Sequence, residues 1–494
     1  MIQFELAEKL FFEGLDLLDR EDYTNAEKLF RKAYEIVPER VSVINNLAGA
    51  LVKLNRIDEA KQLTEISLEI DDTNALTWLN LGVCLQEDRE QERAANAFRR
   101  ALALDETLHE AWMGLGSASA ELGETADAAN AWLALLKQFP RSANLLYSLS
   151  RLPQPLVNID IFSLLDQAKP DEDESQEEFE TFRAFAKAAA LDRAGRHREA
   201  WQWLTTANRR PALQLRDDQR KSVHRQKAAL AKAEASPVNS LREDSCSNAG
   251  PVSLFILGPS RSGKTTLERF IGAMKCIKRG GETLIVENAV RRAFQTAGLA
   301  TRDSIVELPP ALNGPWRELY LKELQERAGA ARVFTNTFPG QIHGVLQIAA
   351  LLPNARFVFL KRDPDDITLR IYMKKYKIGN PYAYDIGDIR DHIAWYYQMI
   401  DVVAERLPSI STVLHYEDLF AEPEAILRSI ADLCGLDPPD PPLQELHGNQ
   451  GCAGPYRDLI AAACRSTDNA AIAYDGRKGD CDGKGATGGV AGTG

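Results

Sequence analysis

Small and apolar residues of the N-terminal half return with a fixed period. Four consecutive windows of 34 residues, 7–40, 41–74, 75–108 and 109–142, align without a gap. A small residue recurs at the eighth position (Gly14, Ala48, Gly82, Gly116) and alanine at the twentieth (Ala26, Ala60, Ala94, Ala128). Proline falls near the end of the first and fourth windows, at Pro38 and Pro140. This predicts units of two antiparallel helices, brought close by small side chains, with aromatic and aliphatic residues filling the gap. The register breaks by Pro153. The acidic stretch 168–180 reads as an exposed connection, and a degenerate fifth unit is expected over 181–214, with Ala188, Ala200 and Ala207 at the matching offsets.

The pattern then changes to short apolar runs. Strands are expected at 252–257, 331–335, 355–360 and 411–416, with helices from about 264, over 340–352, after 363, over 388–407 and over 422–436. Such alternation predicts a doubly wound parallel α/β sheet, whose ligands bind at the carboxyl ends of the strands. The expected organisation is an all-α repeat solenoid over 1–215, a linker over 216–250, an α/β domain over 251–446, and a helix with a glycine-rich tail over 447–494.

Composition adds exclusions. The chain has 494 residues and a net charge of −12. That balance argues against a general nucleic-acid or anionic-membrane binder. The N-terminus lacks the pattern of a signal peptide, and no apolar run is long enough to span a bilayer. Seven cysteines without C-x-x-C pairs read as thiols in a reducing cytoplasm, not as a zinc site.

The chemistry concentrates in "LFILGPSRSGKTTLERF", 254–270. Gly258 to Thr265 fits G-x-x-x-x-G-K-[ST], a loop that cradles phosphates. Backbone amides at a helix N-terminus attract an anion; Ser262, Thr265 and Thr266 add hydroxyls, and Arg261 and Lys264 add charge. A nucleotide triphosphatase also needs a second acidic strand end for magnesium. Here strand 355–360 runs into Lys361-Arg362-Asp363, and Asp363 is the one candidate acid.

The 34-residue units resemble tetratricopeptide repeats, which commonly bind a peptide or protein partner. "PSRSGKTTLER" resembles the "PRSGTTLLER" loop of sulfotransferases. "FVFLKRDPDDITLRIYMKKY" (357–376), "VLHYEDLFAEPEAILRSIADLCGL" (413–436) and "GGE" (280–282) resemble further segments of that family, in its order. "GNPYAYD" (379–385) resembles a segment of bacterial members that carry tetratricopeptide repeats. The resemblance covers roughly 252–436 and, through the repeats, reaches the N-terminus. It implies a sulfotransferase domain using 3′-phosphoadenosine 5′-phosphosulfate (PAPS) without a metal. It further implies that Arg261, Ser262, Gly263 and Thr265 match the 5′-phosphosulfate loop, Arg362 the 3′-phosphate arginine, and Glu282 the general base of the protein-tyrosine members. The acceptor expected is a hydroxyl, with a protein tyrosine presented by the repeats as one class. Three positions depart from the family: Lys264 for a threonine, Arg370 for a serine, and Thr337 for a lysine. Lys264 is expected to supply the charge missing at position 337, and Arg370 to reach the 3′-phosphate. An ATP-dependent P-loop kinase and a catalytically silent repeat adaptor are the alternative readings.

Overall fold

The computed structural model describes residues 2–54, 56–153, 156–170, 175–236, 250–376, 380–437 and 451–464. The regular repeats are four helix pairs: α1 (Ile2–Asp19) with α2 (Tyr23–Ile36), α3 (Val41–Lys53) with α4 (Ile57–Ile70), α5 (Ala75–Glu87) with α6 (Gln91–Leu104), and α7 (His109–Leu122) with α8 (Thr125–Gln138). The close approach expected at the eighth position has a definite partner. A Cβ on Gly14 would lie 2.6 Å from the Phe30 ring, one on Gly82 2.6 Å from Phe98, and one on Gly116 2.2 Å from Trp132. In the second repeat the aromatic is replaced by Thr64 and the glycine by Ala48, both fully buried. Ring volume and methyl group thus exchange across the pair, as close packing requires.

Two short helices, α9 (Ala143–Ser150) and α10 (Ile161–Gln167), interrupt the register. The fifth pair follows as α11 (Gln176–Arg193) and α12 (His197–Gln214), so the acidic connection ends in helix earlier than expected. The segment expected as linker begins with a further helix, α13 (Arg216–Ala235). Its sequence is too polar to show a buried face, yet Gln219, Gln226 and Ala233 are buried. Residues 237–249 lie outside the described residues.

Five parallel strands form the sheet: β1 (Val252–Leu257), β2 (Ile277–Lys278), β3 (Val333–Asn336), β4 (Ala355–Lys361) and β5 (Ser411–His415), in the order β2-β3-β1-β4-β5. Central β1 feeds two cores. Phe255 and Leu257 enter one apolar cluster, Leu254 and Ile256 the other. β4 divides likewise, with Phe357 and Phe359 on one face and Val358 and Leu360 on the other. This is why both strands read as continuous apolar runs. The helices are α14 (Lys264–Ile271), α15 (Ile285–Thr296), α16 (Asn313–Ala328), α17 (Val345–Leu351), α18 (Pro364–Tyr372), α19 (Ile386–Arg406), α20 (Asp418–Ala421) and α21 (Pro423–Cys434). The helix expected over 340–352 is half 3-10, at Pro339–Gly344, before α17 begins. A Cβ on Gly344 would meet Ile305 at 2.3 Å, so this turn packs too closely for a regular α-turn with side chains.

The two halves share one interior. Trp132, Leu146 and Phe185 of the array belong to the same apolar cluster as Ile367, Ile371, Tyr384 and Ile389 of the α/β unit. Asn208 Nδ2 donates to the Tyr372 carbonyl at 2.9 Å, and Arg269 of α14 donates to the Leu122 carbonyl at 3.0 Å. After α21, a 3-10 turn at Gly454–Tyr456 and a helix over 457–464 lie across this seam; the glycine-rich tail 465–494 lies outside the described residues. Among the described residues, no helix is long and apolar enough to cross a membrane.

Candidate active site

β1 ends in the loop 258–263, at the point where the chain turns to β3 on one side and β4 on the other. This is the switch point where open α/β sheets bind ligands. A cavity of about 2540 Å³ opens there, walled by the loop and by the repeat array. Arg261, Gly263, Lys264, Thr265, Thr266, Glu282, Thr337, Arg362 and Arg370 all line it. Ser262 does not. Its side chain is fully buried behind the loop, its Oγ has no partner among the described residues, and a Cβ on Gly258 would lie 2.5 Å from it.

Gly263 caps α14 with φ +99°, a conformation that favours glycine, and a Cβ there would sit 2.2 Å from the Tyr416 ring. The same ring lies 4.0 Å from the Arg362 guanidinium. Tyr416 therefore joins the loop 258–263 to Arg362, which gives the "HYEDL" segment a physical task. Arg362 is buried and pairs with Asp366 at 2.6 Å. Burial pushes the Asp366 carboxyl up, but the amides of Cys452 and Ala453 together with Arg362 hold it below its ordinary value. Arg370 is held differently: its Nε and Nη2 are buried and, among the described residues, have no hydrogen-bond partner.

Asp363, the one candidate for a second acid, is occupied locally. Its Oδ1 accepts the amides of Asp365 and Asp366 at 2.9 and 3.0 Å, capping α18, and its Oδ2 accepts from Arg457 at 3.0 Å.

The Gly280-Gly281-Glu282 turn is braced by Glu268 of α14. Glu268 accepts the Gly281 amide at 2.8 Å and the Thr335 hydroxyl, and Thr337 donates its amide to the Gly281 carbonyl at 2.8 Å. A Cβ on Gly280 would lie 2.2 Å from the Thr335 carbonyl, and Gly281 has φ +63°. Both glycines are needed to bring Glu282 to the cavity. Burial pushes the Glu268 carboxyl up, against the bonds it accepts.

Lys264 is buried, and its Nζ donates to the Pro259 carbonyl at 3.2 Å. Burial pulls its pKa down, with Glu282 acting in the opposite sense. Sequence reading missed a second lysine. Lys374 also lines the cavity, and burial, with the nearby charges of Arg261 and Arg151, lowers its pKa to about 7. Tyr382, stacked on His392 at 3.7 Å, and Arg89 and Arg151 of the array are further lining residues that were not foreseen. Lys374 and Tyr382 fall inside segments that the resemblance marks; nothing local marks Arg89 or Arg151.

Comparison with known proteins matches both halves of the chain to families. Residues 251–440 match the sulfotransferase family and residues 17–81 match a tetratricopeptide repeat. The α/β unit is a sulfotransferase-family domain, joined in one chain to a tetratricopeptide-repeat array. Protein-tyrosine sulfotransferase 2 of Gallus gallus is 24% identical over 208 residues, 40% of this chain and 55% of that protein. An uncharacterized protein of Aquifex aeolicus is 24% identical over 192 residues, 37% of this chain and 25% of its own length. The chain thus spans between a quarter and about half of these relatives. The solved structure of Pseudomonas aeruginosa pilF is 18% identical and covers 42% of this chain and 93% of that one with a TM-score of 0.35.

Proposed function

We propose that this protein transfers a sulfuryl group from PAPS to a hydroxyl acceptor, with tyrosine in a peptide or protein as the acceptor class to test first. The observation that carries the donor assignment is Arg370. Its Nε and Nη2 are buried with no hydrogen-bond partner among the described residues, and Arg370 lines the same cavity as the loop and Arg362. Two arginines and a helix N-terminus suit a ligand with two separated phosphate groups. Asp363, as a helix cap, is a poor magnesium ligand, which favours this reading over a kinase.

PAPS, when bound, supplies the sulfuryl group and departs as 3′,5′-ADP. The chain's own residues do the rest. Loop amides, Arg261, Thr265 and Thr266 hold the negative charge at the sulfuryl end, and Lys264 adds charge from beneath the loop. Arg362, oriented by Asp366 and Tyr416, and Arg370 hold the 3′-phosphate. Glu282 takes the proton of the acceptor hydroxyl, worth about 10²–10⁴-fold in rate when placed within hydrogen-bond reach. The acceptor enters between the array and the loop, where both line the cavity. The name of the Gallus gallus relative supports tyrosine as the first acceptor to try.

Calorimetric titration tests the donor. Binding of 3′,5′-ADP without metal, weakened by Arg362→Ala, is expected. Binding of magnesium-ATP with no response to 3′,5′-ADP would replace the proposal with the kinase reading.

A further inference from the structure

Glu282 does not face the cavity alone. Its Oε2 accepts from Arg89 Nη1 at 3.2 Å, and Arg89 belongs to the third repeat, 193 residues away. Arg89 sits in the turn between α5 and α6 with φ 60°, a left-handed position. The same turn takes φ 58° at Glu21 and φ 78° at Gly123, so the repeat geometry sets this conformation. At Arg89 it aims a long cation at the α/β unit.

The neighbours of both residues are anchored by one side chain. Arg327 of α16 pairs with Glu90 at 3.2 Å and donates to the Thr283 hydroxyl at 3.3 Å. It thereby grips the residue after Arg89 and the residue after Glu282. Glu90 is further held by Lys61 at 2.9 Å, and Asp88, before Arg89, is held by Lys61 at 3.2 Å. Docking of the turn rests on these buried charges. The Arg89–Glu282 pair itself is half-open, and pairs of that kind add little stability. Its geometry points to a different task.

We propose that Arg89 is a positioning residue for Glu282: the repeat array reaches into the transfer site and fixes the carboxylate there. The inference rests on Glu282 being the proton acceptor. Further groups that feel the charge of this carboxylate, among the described residues, are Lys264 at the start of α14, Lys374 after α18, and the hydroxyls of Tyr382 and Tyr396. Among the described residues, Arg89 supplies the ion pair of Glu282. The array is then part of the catalytic unit and not a separable recruiting arm.

The test labels carboxylates of the full chain with a carbodiimide and glycinamide and reads each site by mass spectrometry. Arg89→Ala is expected to raise labelling of Glu282 several-fold, Arg89→Lys to restore most of the protection, and Glu90 and Glu323, the latter paired with Arg327 within α16 at 2.7 Å, to stay as in the wild type. Unchanged labelling of Glu282 overturns the proposal. A joint rise at Glu282, Glu90 and Glu323 overturns it as well, since the whole turn has then come loose. With labelled PAPS and pooled tyrosine peptides, Arg89→Ala should lower kcat about 10- to 100-fold while leaving KM for PAPS within about twofold. It should add no further loss to Glu282→Gln. Full transfer by Glu282→Gln would instead remove the proton-acceptor assignment, and the labelling result would still decide whether Arg89 holds that carboxylate.

Discussion

The guanidinium of Arg362 lies over the ring of Tyr416, 4.0 Å from its centroid, and that ring also fills the space a side chain on Gly263 would need. The loop and Arg362 are thus held against a single aromatic. Tyr416→Ala should weaken 3′,5′-ADP binding about 3- to 30-fold, the range of a cation–π contact. Tyr416→Phe should bind as the wild type. Calorimetry decides, and equal losses in both variants would assign the effect to the hydroxyl.

Arg370 has buried Nε and Nη2 atoms with no hydrogen-bond partner among the described residues, which leaves them open to a bound anion. Arg370→Ala is expected to lower 3′,5′-ADP affinity about 10- to 100-fold, since hydrogen bonds to charged groups are worth about 1.5–3 kcal/mol. Binding of 5′-AMP should change by less than about threefold. A matching loss for both nucleotides would place Arg370 elsewhere than at the 3′-phosphate.

Glu268 reaches from α14 to the Gly281 amide and so sets the position of Glu282. Glu268→Ala should lower kcat at least tenfold and cost about 1–3 kcal/mol of stability through the bonds left unmade. Burial already favours the neutral form of this carboxyl, so Glu268→Gln should retain most of both. Paired kinetics and thermal melts read the two effects separately.

Lys374 gives a pH dependence whose sign follows from its lowered pKa of about 7. Below that pH the amine is a cation, and above it the charge is lost. A bound anion favours the cation and raises its pKa, so affinity must fall as pH rises through 7. Titrations with 3′,5′-ADP from about pH 7 to about pH 9 should show a three- to tenfold decline. Lys374→Met should bind more weakly at pH 7 and lose the decline. A decline that survives in the variant would assign it to another group.

Much of this was readable beforehand, for local reasons. The repeat period was, because each helix pair meets the same packing problem within 34 residues. Gly82 and Phe98 or Gly116 and Trp132 solve it inside one window. The strands around the sheet were, because β1 and β4 are buried on both faces and keep an unbroken apolar run. Helix α13 was not, since only a few of its residues are buried and its packing depends on α19, far along the chain: Trp395 Nε1 donates to the Gln226 carbonyl at 2.9 Å.

The chain by itself determined the array, the phosphate loop and the pair of glycines that delivers Glu282, because each is a demand on neighbouring backbone. Only the tertiary structure decided which side chains share the cavity. Ser262, inside the motif, turns behind the loop, while Arg89 enters from the third repeat. The reason is that docking of the array depends on apolar residues and charges scattered along the chain. Trp132 and Phe185 meet Ile371 and Ile389 in one core, and Glu90 meets Arg327 across the seam. No short window of sequence contains both partners.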